Sequence, residues 1–171
     1  METRNSAAAI IRQPGEGARR WFFGGGMHTW KATEQETAGA FLLFEDEMAL
    51  SKVTPLHSHP ESDETLYVLS GEILFNMDGA EHRLAAGGVA VAPRGVPHAF
   101  KVLQEGTRIL CLQTPGVAQA FYDGASEPLG AGPEAGGRDG AGGQVDFGRI
   151  RESGRLNGGI EILGPPPFPE T

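Results

Sequence analysis

The stretch HSHPESDETLYVLSG, residues 57–71, places two of the chain's five histidines beside three acidic residues and directly ahead of an apolar, strand-like run. Alternate side chains of a β-strand point to the same face, so His57 and His59 present two imidazoles side by side. A polar turn then returns the chain, and Glu64 begins the next strand. Two imidazoles near a carboxylate form half of a site for a divalent metal, although a solvated polar turn has the same composition.

Short strands and turn signals extend outward from this stretch in both directions. Residues 20–115 contain about eight or nine strand-like runs, separated by turn signals roughly every 8–12 residues, and no amphipathic helical pattern. Asp78-Gly79 is a strong hairpin signal within this region. The pattern predicts an all-β sandwich or barrel over residues 20–115.

The two ends of the chain differ from this central domain. Residues 1–19 are predicted to form a flexible N-terminal arm, and residues 116–171 a C-terminal extension of short helices, a Gly-rich segment and a terminal strand. Asp146 and Asn157-Gly158 are placed to begin and end one of these helices. The Gly-rich segment 124–143 is interpreted as a linker or a lid.

Composition narrows the classes of function. A net charge of −8 over 171 residues disfavours nucleic-acid binding, because an acidic surface repels the phosphate backbone. The sequence has neither a run of about 18 apolar residues typical of a membrane span nor a convincing secretory signal. Cys111 is the single cysteine, so an intrachain disulfide is excluded and a cytoplasmic location is expected.

A third imidazole would complete a metal site, and the candidates are His28, His82 and His98. His98 follows a turn rich in glycine and proline, which fixes the direction of its side chain. His82 is the poorer candidate, because it lies just after the predicted hairpin turn, where side chains are usually solvated. The histidine pair in residues 57–71, taken alone, is more often a polar strand end than a ligand pair.

The combined spacing resembles the two sequence motifs of the cupin superfamily. The first motif corresponds to His57-x-His59, four residues, Glu64, six residues and Gly71, and the second to Gly87, five residues, Pro93-x-Gly95, two residues and His98. One position departs from the pattern, since Val102 stands where the second motif usually ends in a structural asparagine. The flanking segments resemble small single-domain cupins grouped with quercetin 2,3-dioxygenase-like proteins.

This resemblance implies a jelly-roll barrel, a double-stranded β-helix, with one divalent transition metal (Fe, Mn, Ni, Co, Cu or Zn) inside it. The implied ligands are His57, His59, Glu64 and His98. The implied activity is that of a metal-dependent dioxygenase that acts on a small aromatic or enolic metabolite and dioxygen, with Glu64 as a candidate catalytic base. Two alternatives remain open: a non-oxidative isomerase or cyclase with the same ligands, and a non-catalytic module that binds small molecules.

Strand alternation also predicts a substrate pocket around the metal. Its predicted lining is partly apolar and consists of His28, Leu66, Val68, Phe75 and Phe100. A pocket of this kind favours a small, partly apolar molecule.

An open jelly roll leaves a strand edge near its N-terminus, and exposed edges need cover. We therefore expect a homodimer to which residues 10–30 contribute, partly through Trp21, Phe22 and Phe23.

Overall fold

The structure, a computed structural model, describes residues 9–50, 52–129 and 145–169. Its twelve strands form two antiparallel sheets, one of seven strands in the order β11-β1-β2-β3-β10-β5-β8 and one of five in the order β12-β4-β9-β6-β7. The two sheets face each other as a jelly-roll sandwich, which confirms the predicted all-β fold. Between residues 20 and 115 the described residues form no helix, as the sequence predicted.

The strands follow the chain in order, with both helices in the C-terminal extension. Their bounds are β1 Arg19–Phe22, β2 Gly26–Ala32, β3 Leu42–Met48, β4 Leu56–Ser58, β5 Asp63–Ser70, β6 Glu72–Met77, β7 Ala80–Ala85, β8 Val89–Ala92, β9 His98–Val102, β10 Thr107–Thr114, α1 Gln119–Gly124, β11 Ser126–Pro128, α2 Phe147–Asn157 and β12 Glu161–Gly164.

The strands bury alternate side chains, as their sequence pattern requires. In β5, Glu64, Leu66 and Val68 are buried, whereas Tyr67 and Leu69 are exposed. Each fully buried aliphatic side chain stabilises the fold by about 1.5–3 kcal/mol relative to its exposed state. The same alternation carries Glu64 into the interior, where a carboxylate is stable only with partners.

Two glycine positions have positive φ at the links between consecutive strands. Asp78 and Gly79 have φ values of 48° and 83°, and they join β6 to β7 with Met77 opposite Ala80. Positive φ at both central residues is the geometry that matches the twist of a two-residue hairpin, which confirms the predicted turn. Gly71 has a φ of 78°, and a Cβ there would lie 2.2 Å from Thr107 Oγ1.

The C-terminal extension is built into both sheets. β11 pairs with β1, and β12 pairs with β4. Helix α2 begins as predicted, since the Asp146 carboxylate accepts a hydrogen bond from the Arg149 backbone N–H at 3.1 Å, and it ends at Gly158 with a φ of 66°. The barrel domain predicted for residues 20–115 therefore holds ten of the strands, and the extension supplies the other two.

The N-terminal arm is anchored where the structure describes it. The Arg12 guanidinium donates to the Lys31 carbonyl and to Glu36, each at 2.5 Å. Phe22 and Phe23 are buried in the core, and β11 covers the edge of β1. The homodimer thus stays a prediction, without the exposed aromatic edge that motivated it. In the described ranges, neither helix is long and apolar enough to span a membrane.

Candidate metal centre

Four buried side chains from both sheets converge inside the barrel. His57 on β4 lies directly opposite His98 on β9, His59 follows β4, and Glu64 comes from β5 of the other sheet. One nitrogen of each imidazole and one carboxylate oxygen all lie within 4.8 Å of one another. We call His57, His59, Glu64 and His98 the four-ligand cluster.

A backbone carbonyl fixes each imidazole from behind. The Nδ1 atoms of His57, His59 and His98 lie 2.8, 2.7 and 2.9 Å from the carbonyl oxygens of Pro55, Gly159 and Val96, respectively. A carbonyl only accepts, so each Nδ1 carries the donated proton and each Nε2 is the atom left for the cluster. This arrangement sets the tautomer and orientation that metal-binding histidines need.

The electrostatics of the cluster favour a bound cation. Burial, followed by the charges of His98 and His59, lowers the pKa of His57 to about 3 and keeps this imidazole neutral. Burial raises the pKa of Glu64, but His59 and His98 outweigh it and hold this pKa well below its ordinary value. His59 Nε2 is buried 3.4 Å from Glu64 Oε1 and has no closer polar partner among the described residues. Three imidazole nitrogens and one carboxylate oxygen are a donor set that fits a divalent transition metal.

Three further side chains surround the Glu64 carboxylate. Its Oε1 accepts a hydrogen bond from Gln113 Nε2 at 3.0 Å, and Cys111 Sγ and Tyr122 Oη donate to it at 3.5 and 3.4 Å. Gln113 also donates to Tyr122 Oη at 2.6 Å. The sequence did not identify these three residues as part of the site, although the alternation along β10 places Cys111 and Gln113 on the buried face.

A cavity of about 60 Å³ lies beside the cluster. His57 and Glu64 line it, together with the predicted pocket residues His28, Leu66 and Phe100. The volume is far below the roughly 300–1,000 Å³ of pockets for drug-sized ligands, so only a small molecule fits the cavity as it stands.

Two residues predicted to line the pocket lie elsewhere in the core. Val68 is buried two residues beyond Leu66, and Phe75 packs parallel to the His98 ring at a centroid distance of 5.9 Å. Neither of them borders the cavity. Period-two alternation gives the face of a strand but not the position along the barrel axis, so the sequence did not determine where along the barrel these two side chains lie. His82, the rejected ligand candidate, is exposed on β7.

The C-terminal extension closes one side of the cavity. The lining residues that it supplies are Phe121, Tyr122, Phe147, Ile150 and Ile160. Helices α1 and α2 pack on each other, and Ser153 Oγ donates to the Phe121 carbonyl at 2.8 Å. The Gly-rich segment interpreted as linker or lid falls mostly outside the described residues, from 130 to 144.

Comparison with known proteins places the chain in a family. The cupin domain model matches residues 46–112, a range that contains all four members of the four-ligand cluster. This chain is a cupin. The cupin is 30% identical over 118 residues to quercetin 2,3-dioxygenase of Bacillus subtilis (strain 168). The match includes 69% of the cupin and only 35% of that protein, so the chain spans about a third of its relative's length.

Solved structures of other proteins share the fold of this cupin. KdgF from a Halomonas species superposes with a TM-score of 0.55 at 19% identity, over 64% of the cupin and 94% of that chain. A predicted oxalate decarboxylase from Thermotoga maritima gives a TM-score of 0.56 at 18% identity, over 63% of the cupin and 99% of that chain. At these identities the likeness shows the fold alone.

Proposed function

We propose that this cupin is a metal-dependent oxygenase that acts on a small aromatic or enolic molecule. The observation that carries the proposal is the four-ligand cluster, in which three Nε2 atoms and the Glu64 carboxylate face one point while backbone carbonyls hold the imidazoles from behind. His57, His59, Glu64 and His98 would hold one divalent transition metal. When bound, that metal supplies a Lewis acid and, where its redox chemistry allows, a route for dioxygen to react.

Glu64 is suited to take the proton of a phenol or enol that enters the cavity. It lines the cavity, and its low pKa keeps it ionised at neutral pH. Gln113 and Tyr122 hold Oε1 by hydrogen bonds, so the carboxylate stays in a fixed orientation toward its neighbours. Proton transfer to a positioned side chain contributes about 10²–10⁴-fold to a reaction rate, and the low pKa of Glu64, which makes it a weak base, places its contribution toward the lower end of that range.

The cavity lining supports an aromatic or enolic substrate of limited size. Phe22, Phe44 and Phe100 offer flat apolar surfaces to such a substrate, and the cavity volume of about 60 Å³ favours a small one. The similarity to a quercetin 2,3-dioxygenase supports oxygenase chemistry.

The test is to purify the protein without chelators, measure its metal content, and assay candidate phenols and enols in air and under nitrogen. We expect about one divalent transition metal per chain, turnover only with dioxygen, and incorporation of labelled dioxygen into the product. Equal turnover under nitrogen would contradict the oxygenase proposal and favour an isomerase or cyclase that uses the same ligands.

A further inference from the structure

A second group of buried charges lies on the same cavity. Asp46, Lys52 and His28 all line it, and each is at most 3% exposed. The Lys52 ammonium forms a short hydrogen bond to Asp46 Oδ2, and His28 Nε2 lies 3.4 Å from the same oxygen. We call His28, Asp46 and Lys52 the lysine cluster. It has no part in holding the metal, because none of its members belongs to the four-ligand cluster.

The surrounding fold makes room for this cluster. His28 on β2 and Asp46 on β3 are cross-strand partners. At Gly26, two residues before His28 on the same face of β2, a Cβ would lie 2.1 Å from Asp46 Oδ1 and 2.8 Å from Lys52 Nζ. Any other residue at position 26 would therefore displace the ion pair. Burying such a pair costs several kcal/mol per ion, and hydrophobic residues of similar volume often give equal or greater stability. Stability alone thus does not account for its presence beside the cavity.

The Lys52 ammonium keeps unused hydrogen-bonding capacity. It has three N–H donors, and within the described residues Asp46 is its one hydrogen-bond acceptor. The rings of Phe22 and Phe100 flank it, with their centroids 5.3 and 5.7 Å from Nζ. Both rings also line the cavity, so an aromatic molecule between them would lie within reach of the ammonium.

We propose that Lys52, held by Asp46, is a substrate-binding residue that donates a hydrogen bond to a neutral oxygen of the substrate, a carbonyl or hydroxyl, at the end of the molecule away from the metal. This inference rests on the proposed function, because it assumes that the substrate's other oxygen lies at the four-ligand cluster. The substrate class becomes a small aromatic or enolic molecule with oxygen functions at both ends.

The net charge of the lysine cluster determines whether it would bind a neutral oxygen or a carboxylate of the substrate. Burial raises the pKa of Asp46, but Lys52 and His28 lower it to about 2, so Asp46 is ionised and neutralises Lys52. Burial outweighs Asp46 at His28 and lowers the pKa of this imidazole, which leaves it neutral at pH 7. The lysine cluster is thus electrically balanced. A substrate carboxylate would add an uncompensated buried charge, whereas a carbonyl or hydroxyl oxygen satisfies an N–H donor without adding one.

The test compares two catechols of nearly equal size that differ in the distal group. We would load the protein with Zn²⁺, which has no redox chemistry, and titrate it under nitrogen with 4-methylcatechol and with 4-(hydroxymethyl)catechol by calorimetry. A hydrogen bond from a charged donor is stronger than one between neutral groups, so we expect the hydroxymethyl compound to bind about 10-fold more tightly, which corresponds to about 1.4 kcal/mol. A ratio near one in the wild-type protein would overturn the inference, whether or not any variant folds.

A double variant, Lys52→Met with Asp46→Leu, removes both charges and leaves neither unpaired. We expect it to keep its zinc content and to bind the two catechols with equal affinity. Lys101→Met is the matched control, because Lys101 lies on β9 beside Phe100 but does not border the cavity, and it should keep the 10-fold ratio. An unchanged ratio in the folded, zinc-loaded double variant would overturn the role of Lys52. Failure of both catechols to bind the wild-type zinc protein would instead contradict the proposed function on which the inference rests.

Discussion

The four-ligand cluster and the lysine cluster border one cavity, and both consist of buried ionisable groups that include a carboxylate of lowered pKa. They differ in where the positive charge comes from. The lysine cluster contains its own cation, Lys52, in contact with Asp46. The four-ligand cluster contains only imidazoles and a carboxylate, and the Nδ1–H groups of its histidines donate hydrogen bonds to backbone carbonyls.

The lysine cluster is therefore an ion pair that is complete within the protein, whereas the four-ligand cluster is suited to bind a cation from solution. No lysine or arginine belongs to the four-ligand cluster, so a bound metal ion would supply the positive charge that Lys52 supplies in the lysine cluster. The following substitutions test whether the two clusters are independent.

The largest expected effect is loss of the metal on substitution of one ligand. His98→Ala should reduce the metal content from about one equivalent per chain to near zero, because it deletes one of four ligands and leaves Glu64 without its contact at 3.0 Å. Elemental analysis of purified protein measures the change. The control, His82→Ala, removes an exposed imidazole and should leave the metal bound. A fully loaded His98 variant would show that the cluster is not the metal site.

The next largest effect is a loss of folding stability when the lysine cluster loses its cation. Lys52→Met should lower the free energy of unfolding by about 3–5 kcal/mol, because Asp46 becomes a buried charge without its main partner. Adding Asp46→Leu should recover most of that loss. Chemical denaturation measures both, with Lys101→Met expected within about 0.5 kcal/mol of wild type. If Lys52→Met lowers the free energy of unfolding no more than Lys101→Met does, Asp46 does not depend on Lys52 for its stability in the core.

A third prediction separates ligation from proton transfer at Glu64. Glu64→Gln keeps an oxygen donor in nearly the same place but removes the base. With metal restored, we expect activity to fall on the order of 100-fold, and the natural readout is the rate per metal-loaded chain. If the reloaded variant keeps a substantial fraction of the wild-type rate, Glu64 is a ligand only.

The smallest effect is the acid sensitivity that the lysine cluster confers. The pKa of Asp46 is about 2 in the folded protein against an ordinary value of 3.8, so the unfolded chain binds this proton first as the pH falls. The stabilisation from Asp46, about 2 kcal/mol, is therefore fully present above pH 4 to 5 and is lost as the pH falls through 3.8 toward 2. Unfolding of metal-free wild type and of the Lys52→Met, Asp46→Leu double variant across this range should show a steeper loss in the wild type. Parallel curves would count against an ionised Asp46.

The two clusters also differ in how far the sequence revealed them. All four proposed metal ligands stand in two motifs of fixed spacing, so the sequence alone brought them together. The lysine cluster joins β2, β3 and the segment after β3, and no short motif links those positions. Its one local signal was the alternation in β3, which puts Asp46 on the buried face with Leu42 and Phe44. A charged residue in that phase indicates a buried partner, but only the fold shows which residue it is.

The closure of the cavity was beyond sequence reasoning for a related reason. Phe121, Phe147 and Ile150 lie in short helices whose docking depends on tertiary contacts rather than on a local pattern. The strands, the Asp78-Gly79 turn and the Asp146 cap were predictable because each has a local cause in backbone geometry or hydrogen bonding.

The hydrogen bond from His59 to the Gly159 carbonyl joins residues that are 100 positions apart in the chain. Protein synthesis proceeds from the N-terminus, so both cupin motifs leave the ribosome well before Gly159 does. During that interval the nascent barrel has all four metal-binding side chains but lacks the acceptor that orients one of them. Orientation of His59 in the metal centre therefore waits for the synthesis of Gly159, and a chain that stalls before this residue would carry every ligand and still lack this acceptor.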